Sequence, residues 1–219
     1  MKQRKKIFIL LDKKNDWLKK YFVDFSFDNK LKKKFSFSVV YKLNKKINIE
    51  LLFLLGLTKK INLKKYKNIN KAFLIHESNL PKGRGFSPVK HQILEKKDKI
   101  KCCLISCDEK IDTGKIYNYD FLKIKKTDLY DDIKKKQFLI SMKMIKKILN
   151  DYPFLKSKEQ KGKPTYYRKF TSEDDQININ LSIKDEFNKI RSTDYINHQN
   201  YFYYKNKKFY LRISKKKIW

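Results

Sequence analysis

HESNLPKGRGFSPVKHQILE, residues His76–Glu95, is the stretch on which the reading of this chain turns. It holds two of the three histidines, two of the four prolines and two of the five glycines. Glycine relaxes the backbone and proline fixes it, so a short segment rich in both is a shaped loop. Upstream, Lys71 to His76 (KAFLIH) reads as a strand that runs straight into this loop. Downstream, Ser87-Pro88 has the form of a helix start, with Ser at the N-cap and Pro at the first helical position. Val89, Ile93 and Leu94 would then share one helix face. A shaped loop that carries a histidine and is flanked by apolar strands is a place where chemistry sits.

Further outward the pattern repeats. Lys6 to Leu11 (KIFILL) is a continuous apolar run, suited to a buried parallel strand. Trp17 to Phe22 could open a helix. Phe35 to Tyr41, Ile49 to Leu55 and Lys99 to Cys107 read as further strands, the second ending at Gly56. Alternating strands and short helices predict an α/β fold, an open, mostly parallel twisted sheet of Rossmann-like type. In such sheets ligands sit beyond the carboxyl ends of the strands, and Gly56, His76 and the loop from Asp108 to Gly114 are expected there. Thr127 begins the longest helical pattern, with Asp128, Asp131 and Asp132 at its positive end and Pro153 as its stop. The expected organisation is a catalytic domain over 1–152, a charged linker over 153–164 and a C-terminal helix-plus-hairpin module over 165–219. In that module Ser182 and Asp185 suggest a capping box, and Asn206-Lys207 a hairpin turn.

Composition bounds the partners. At 219 residues with 41% hydrophobic content the chain can bury a core of its own. No apolar run is long enough for a transmembrane helix, and Ile7 to Leu11 is too short for a signal peptide. A cytoplasmic protein with no membrane partner is expected. The net charge of +32 has two readings. A basic surface binds phosphates and releases counterions. Lysine is also spread along the whole chain with Asn, Ile, Phe and Tyr, which share A/T-rich codons. Cys102, Cys103 and Cys107 form no C-x-x-C pair and lie in an apolar run, which favours core packing.

The residues that could carry chemistry are few. His76, at a strand end, could accept a proton near neutral pH or serve as a structural histidine. Asp112 could orient His76 or bond its own turn. Lys82 and Arg84, with the exposed amides of Gly83 and Gly85, could hold an anion or form a solvated loop. The sequence has no P-loop, no HExxH and no GxSxG motif.

Taken together, the His-x-Ser-x-Leu-Pro-x-x-Arg-Gly-x-x-Pro loop and the later Asp112-Thr113-Gly114 resemble the formyltransferases that use 10-formyltetrahydrofolate. The similarity extends over roughly residues 7–152 and is weaker before His76. The tail, YYRKFTSEDDQI from Tyr166 and then SIKDEFNKIRSTD, is similar to the nucleotide-sugar N-formyltransferases. The resemblance implies a catalytic Asn, His and Asp. His76 and Asp112 fall on the last two. The Asn position, two residues before the His, is Leu74 here, and Asn79 is the residue that could supply an amide instead. His91 stands where the family has a Trp. The resemblance further implies that donor and substrate lie against Leu54, Leu55, Gly56, Pro81, Arg84, Gly85, Asp108 and Gly114. The implied reaction moves a formyl group to a primary amine, of a nucleotide-linked amino sugar or, as the alternative, of charged tRNA. A non-catalytic binding relative and a homodimer are also open.

Overall fold

The computed structural model describes residues 3–13, 16–108 and 110–216. Glu109 of the expected site loop and the last three residues of the tail lie outside it. Among the described residues, ten strands and five α-helices follow one another. They are β1 (Lys5–Leu11), α1 (Lys19–Val23), α2 (Asn29–Lys34), β2 (Phe35–Val40), β3 (Ile49–Leu55), β4 (Ile69–His76), β5 (Arg84–Gly85) and α3 (Pro88–Leu94). Then come β6 (Lys99–Ser106), β7 (Ile116–Lys123), α4 (Tyr130–Asp151), β8 (Tyr166–Tyr167), α5 (Ile183–Ser192), β9 (Asn200–Tyr204) and β10 (Lys207–Leu211).

Six strands form one sheet in the order β2-β1-β3-β4-β6-β7. The first four run parallel, whereas β6 is antiparallel to both β4 and β7. The apolar runs in β1 and β3 are buried on both faces, as central parallel strands require. One face carries Ile7, Ile9, Leu51, Phe53, Phe73, Cys102 and Leu104. It packs under Leu31 of α2, Val89 and Ile93 of α3, and the Ile133, Phe138, Met144, Ile145 and Ile148 stripe of α4. The other face carries Phe8, Leu10, Leu52 and Leu54, covered by residues such as Leu43, Leu57, Ile61 and Tyr66 from the connecting segments. Among the described residues no helix is long and apolar enough to cross a membrane.

Several local expectations shift. Ser87 precedes α3 as predicted, but it sits at φ 45° and its side chain caps nothing. The long helix starts at Tyr130 rather than Thr127, and Asp132 Oδ2 accepts the Leu129 N–H at 2.9 Å. Ser182 caps α5, accepting from the Asp185 amide at 3.2 Å. The hairpin turns one residue earlier than read, at Lys205 and Asn206. Both have positive φ, 44° and 60°, as a two-residue turn that matches strand twist demands. Strand β7 goes beyond the sequence reading, although Ile116, Asn118 and Leu122 are buried there in a near-alternating pattern.

The end of α4 is tied to the sheet through Glu50 of β3. Its carboxylate accepts from the Tyr152 hydroxyl, from Lys5 Nζ at 2.9 Å and from Asn70 Nδ2 at 3.2 Å. The Tyr152 hydrogen bond, with that of Lys5, holds Glu50 below its ordinary carboxylate value against the effect of burial. A depressed folded value means stability that is present above the ordinary value of 4.5 and is lost as pH falls below it. Glu50→Gln should therefore lower Tm at pH 7, with the gap to the parent closing through acid pH. A gap that persists unchanged to pH 3 in thermal unfolding would refute this linkage.

Candidate active site

The site is built where β4 ends. Side chains at positions i and i+2 of a strand share a face, so Leu74 and His76 point the same way. Across the antiparallel junction they pair with Ile105 and Cys103 of β6. Beyond His76 the chain turns through the glycine- and proline-rich loop. Gly83 lies at φ 70° and Gly85 at φ 102°, backbone conformations that side chains resist. This loop folds back over the histidine.

Both ring nitrogens of His76 meet acceptors. Nε2 lies 2.7 Å from the Gly83 carbonyl oxygen. A carbonyl can only accept, so Nε2 carries a hydrogen. Nδ1 lies 3.4 Å from Asp112 Oδ2, and that same oxygen accepts the Gly85 N–H at 2.9 Å. At 3.4 Å the approach of Nδ1 to the carboxylate is longer than an ordinary hydrogen bond. The pair is nearly dry, with 5% and 7% of the two residues exposed. Half-buried Gly85 bonds the carboxylate directly, so the pair lies one residue beneath the surface.

Asp112 reaches His76 by a route that strand order does not suggest. Strand β6 runs against β4, so Ser106 ends opposite Phe73, and Cys107 donates its N–H to Ala72 O at 3.0 Å. The loop therefore leaves from the flank of β4 rather than from the carboxyl ends, and it doubles back. Asp112 itself sits at φ 54°. The reversal is tight: a Cβ on Gly114 would stand 1.8 Å from Ser106 O. Gly114→Ala should cost about 1–3 kcal/mol, as other overpacked sites do, a Tm lower by roughly 3–10 °C. An unchanged melting curve would show that the loop has room to yield.

The other sequence candidates separate. Leu54 and Leu55 are buried on opposite faces of β3, and Gly56 follows, exposed at φ 61°. Pro81 is buried in the loop, and Arg84 Nη2 donates to Gln160 Oε1 at 2.7 Å. Asp108 is exposed and accepts from Ser106 Oγ at 3.1 Å. Asn79 is not brought to the pair: it is exposed, and its Oδ1 accepts from Lys101 Nζ at 3.1 Å. Three residues beyond His76, the loop has already turned outward. Leu74 packs against both apolar clusters that flank the pair.

The segment expected as a linker takes part in the site. Lys158 pairs with Ile116 by two backbone hydrogen bonds of 2.8 and 2.9 Å. Gln160 Nε2 donates to the carbonyls of Asp112, at 2.8 Å, and Gly114, at 2.9 Å. Thr165 Oγ1 accepts the Gly83 N–H at 2.8 Å, and β8 pairs with β5. No sequence signal marks Gln160, which sits in a lysine-rich run. His91 is sandwiched between Tyr167 and Phe170, with ring centroids at 4.4 and 4.2 Å. Burial, with a hydrogen bond to Glu95, pushes the Tyr167 hydroxyl up to about 12. Two cavities of about 420 and 260 Å³ lie in and around the C-terminal segment, and neither is lined by His76 or Asp112.

Comparison with known proteins bears on the fold. No family model matches the chain. Over 125 residues, 57% of this chain and 39% of the relative, the sequence is 31% identical to methionyl-tRNA formyltransferase of Francisella philomiragia. The chain thus spans less than half the length of the curated relatives it matches. Among solved structures, methionyl-tRNA formyltransferase from Clostridium thermocellum superposes with a TM-score of 0.79 at 21% identity, over 97% of this chain and 94% of that one. A sugar N-formyltransferase from a Shewanella species gives 0.67 at 17%, over 98% and 99%. HypX from Aquifex aeolicus in complex with tetrahydrofolic acid gives 0.70 at 14%, over 94% and 37%. The structural likenesses show a shared fold: a mixed α/β architecture on a mainly parallel sheet.

Proposed function

We propose, from the premise that this chain belongs with the formyltransferases in sequence and fold, that it transfers a formyl group from 10-formyltetrahydrofolate to a primary amine. The observation that carries the reading is the buried His76–Asp112 pair, 3.4 Å apart at the end of a sheet strand. An amine attacking a formyl carbon forms a tetrahedral oxyanion and must lose a proton, and the departing folate nitrogen must gain one. A histidine beside a carboxylate is a pair of groups able to accept the first proton and supply the second. Asp112 holds the ring's Nδ1 side, and the Gly83 carbonyl fixes Nε2–H.

The residues beside the pair suit a flat heteroaromatic donor. Half-buried Leu57 and Leu74 and the buried Leu54 offer apolar surface. Leu54 to Gly56 and the 108–114 loop would hold the folate, which supplies the activated formyl group. The reaction belongs in the cytoplasm, where three unbridged cysteines stay reduced.

The acceptor we favour is a nucleotide-linked amino sugar. Its support is the similarity of the tail, Tyr166 to Asp194, to the nucleotide-sugar enzymes. Methionyl-tRNA is the second reading, favoured by the net charge of +32 and by the names of the sequence relatives. Incubating the protein with 10-formyltetrahydrofolate and either a panel of amino-sugar nucleotides or methionyl-tRNA, and following folate release, tests both. Release with a sugar nucleotide alone supports the first, and release with charged tRNA alone the second. No release with any amine would overturn the transferase reading.

A further inference from the structure

We propose that Gln160 and Thr165 are positioning residues that hold the two partners of His76 in register, so that the tail is part of the catalytic unit. The inference rests on the transferase reading for its kinetic consequence, but not for its structural one. His76 is held on one side by the Gly83 carbonyl and on the other by Asp112. Each of these partners is in turn held from the tail. The Gly83 N–H donates to Thr165 Oγ1 at 2.8 Å, and the Arg84 N–H to Thr165 O at 2.9 Å. Gln160 Nε2 donates to Asp112 O and Gly114 O at 2.8 and 2.9 Å, while its Oε1 accepts from Arg84 Nη2 at 2.7 Å.

The orientation of the Gln160 amide is settled by chemistry. Carbonyls only accept and a guanidinium only donates, so the nitrogen faces Asp112 and Gly114 and the oxygen faces Arg84. One side chain thereby joins the two loops that flank the histidine. It does so where the backbone needs support, since Asp112 is a non-glycine residue at φ 54°. Residues in such conformations persist only when surrounding bonds over-determine them. A misplacement of about 1 Å at a reacting group can cost about 10²-fold in rate.

The test uses the full chain carrying Gln160→Ala, Gln160→Glu, Thr165→Val or Thr165→Ser. Glu keeps the acceptor toward Arg84, with added charge, but loses both donors to the carbonyls. Ser keeps the hydroxyl that Val lacks. Q160A, Q160E and T165V should each lower kcat by about 10²-fold, with donor KM nearly constant in T165V, and T165S should recover most of the parent rate. Without any substrate, the ¹⁵N signals of the His76 ring should shift in Q160A and T165V and not in T165S. If Q160E turns over like the parent, Gln160 merely anchors Arg84 and the proposal fails. Ring signals identical to the parent in every variant overturn it too, whether or not the parent transfers formyl groups. A parent inactive on every amine, with the ring signals still shifting, would sink the transferase reading alone.

Discussion

His76→Ala and Asp112→Ala should each slow the proposed formyl transfer by about 10²–10⁴-fold, the range for removing a general acid-base group, with donor binding kept. Donor binding survives because the surfaces assigned to it, Leu54 to Gly56 and the backbone of the 108–114 loop, do not include either side chain's polar atoms. The two losses should not add. In the proposed mechanism the imidazole and the carboxylate act as one unit, so the double variant should be about as slow as either single one. Asp112→Asn separates geometry from proton transfer. Its amide oxygen can still accept the Gly85 N–H that now meets Oδ2 at 2.9 Å. Its amide NH₂, a donor only, can face Nδ1 but cannot take up the proton. D112N should therefore keep the parent's Tm and lose the parent's rate. Stopped-flow measurement of folate release under single-turnover conditions, with calorimetric binding of the donor, reads both quantities. Full-rate transfer by either Ala variant would show that the chemistry lies elsewhere in the molecule.

Leu74→Asn should act in the opposite direction and raise turnover by about 10²-fold, the scale of one oxyanion donor. Position 74 is where the resemblance to the formyltransferases implies a catalytic Asn. Its side chain is on the His76 face of β4, between the Leu54 and Ile105 positions of the neighbouring strands. An amide there would point its N–H toward the carbon under attack. The change also removes apolar packing from two clusters and places a polar group in a half-buried position, which costs about 1–3 kcal/mol of stability. A faster but less stable enzyme is thus the expected result, measured as kcat beside a melting curve. A folded L74N variant no faster than the parent would mean that other donors already hold the oxyanion.

Much of the frame was readable from local pattern. Apolar runs gave β1 and β3, Pro88 and Pro153 marked where α3 begins and where α4 must stop, and Ser182 capped α5 as its spacing suggests. Those features are set by neighbours in the chain. What escaped was set by distant partners. Strand β7 interleaves Tyr, Asn and Asp with its apolar residues, so its buried side shows only once α4 covers it. The antiparallel sense of β6 is invisible in KIKCCLISC, since a run buried on both faces looks the same in either direction. Asn79 turned outward because the loop after His76 reverses within three residues.

The residues capable of acid-base work, the glycines that let a loop fold over them and the apolar runs of a two-faced sheet are properties of composition and spacing. They were therefore present in the chain before any folding. Which nitrogen of His76 carries hydrogen, how Asp112 comes within 3.4 Å of the other, and why a glutamine in a charged run matters were decided only by tertiary structure. The reason is physical: hydrogen bonds between groups dozens of residues apart exist only after burial has removed competing water.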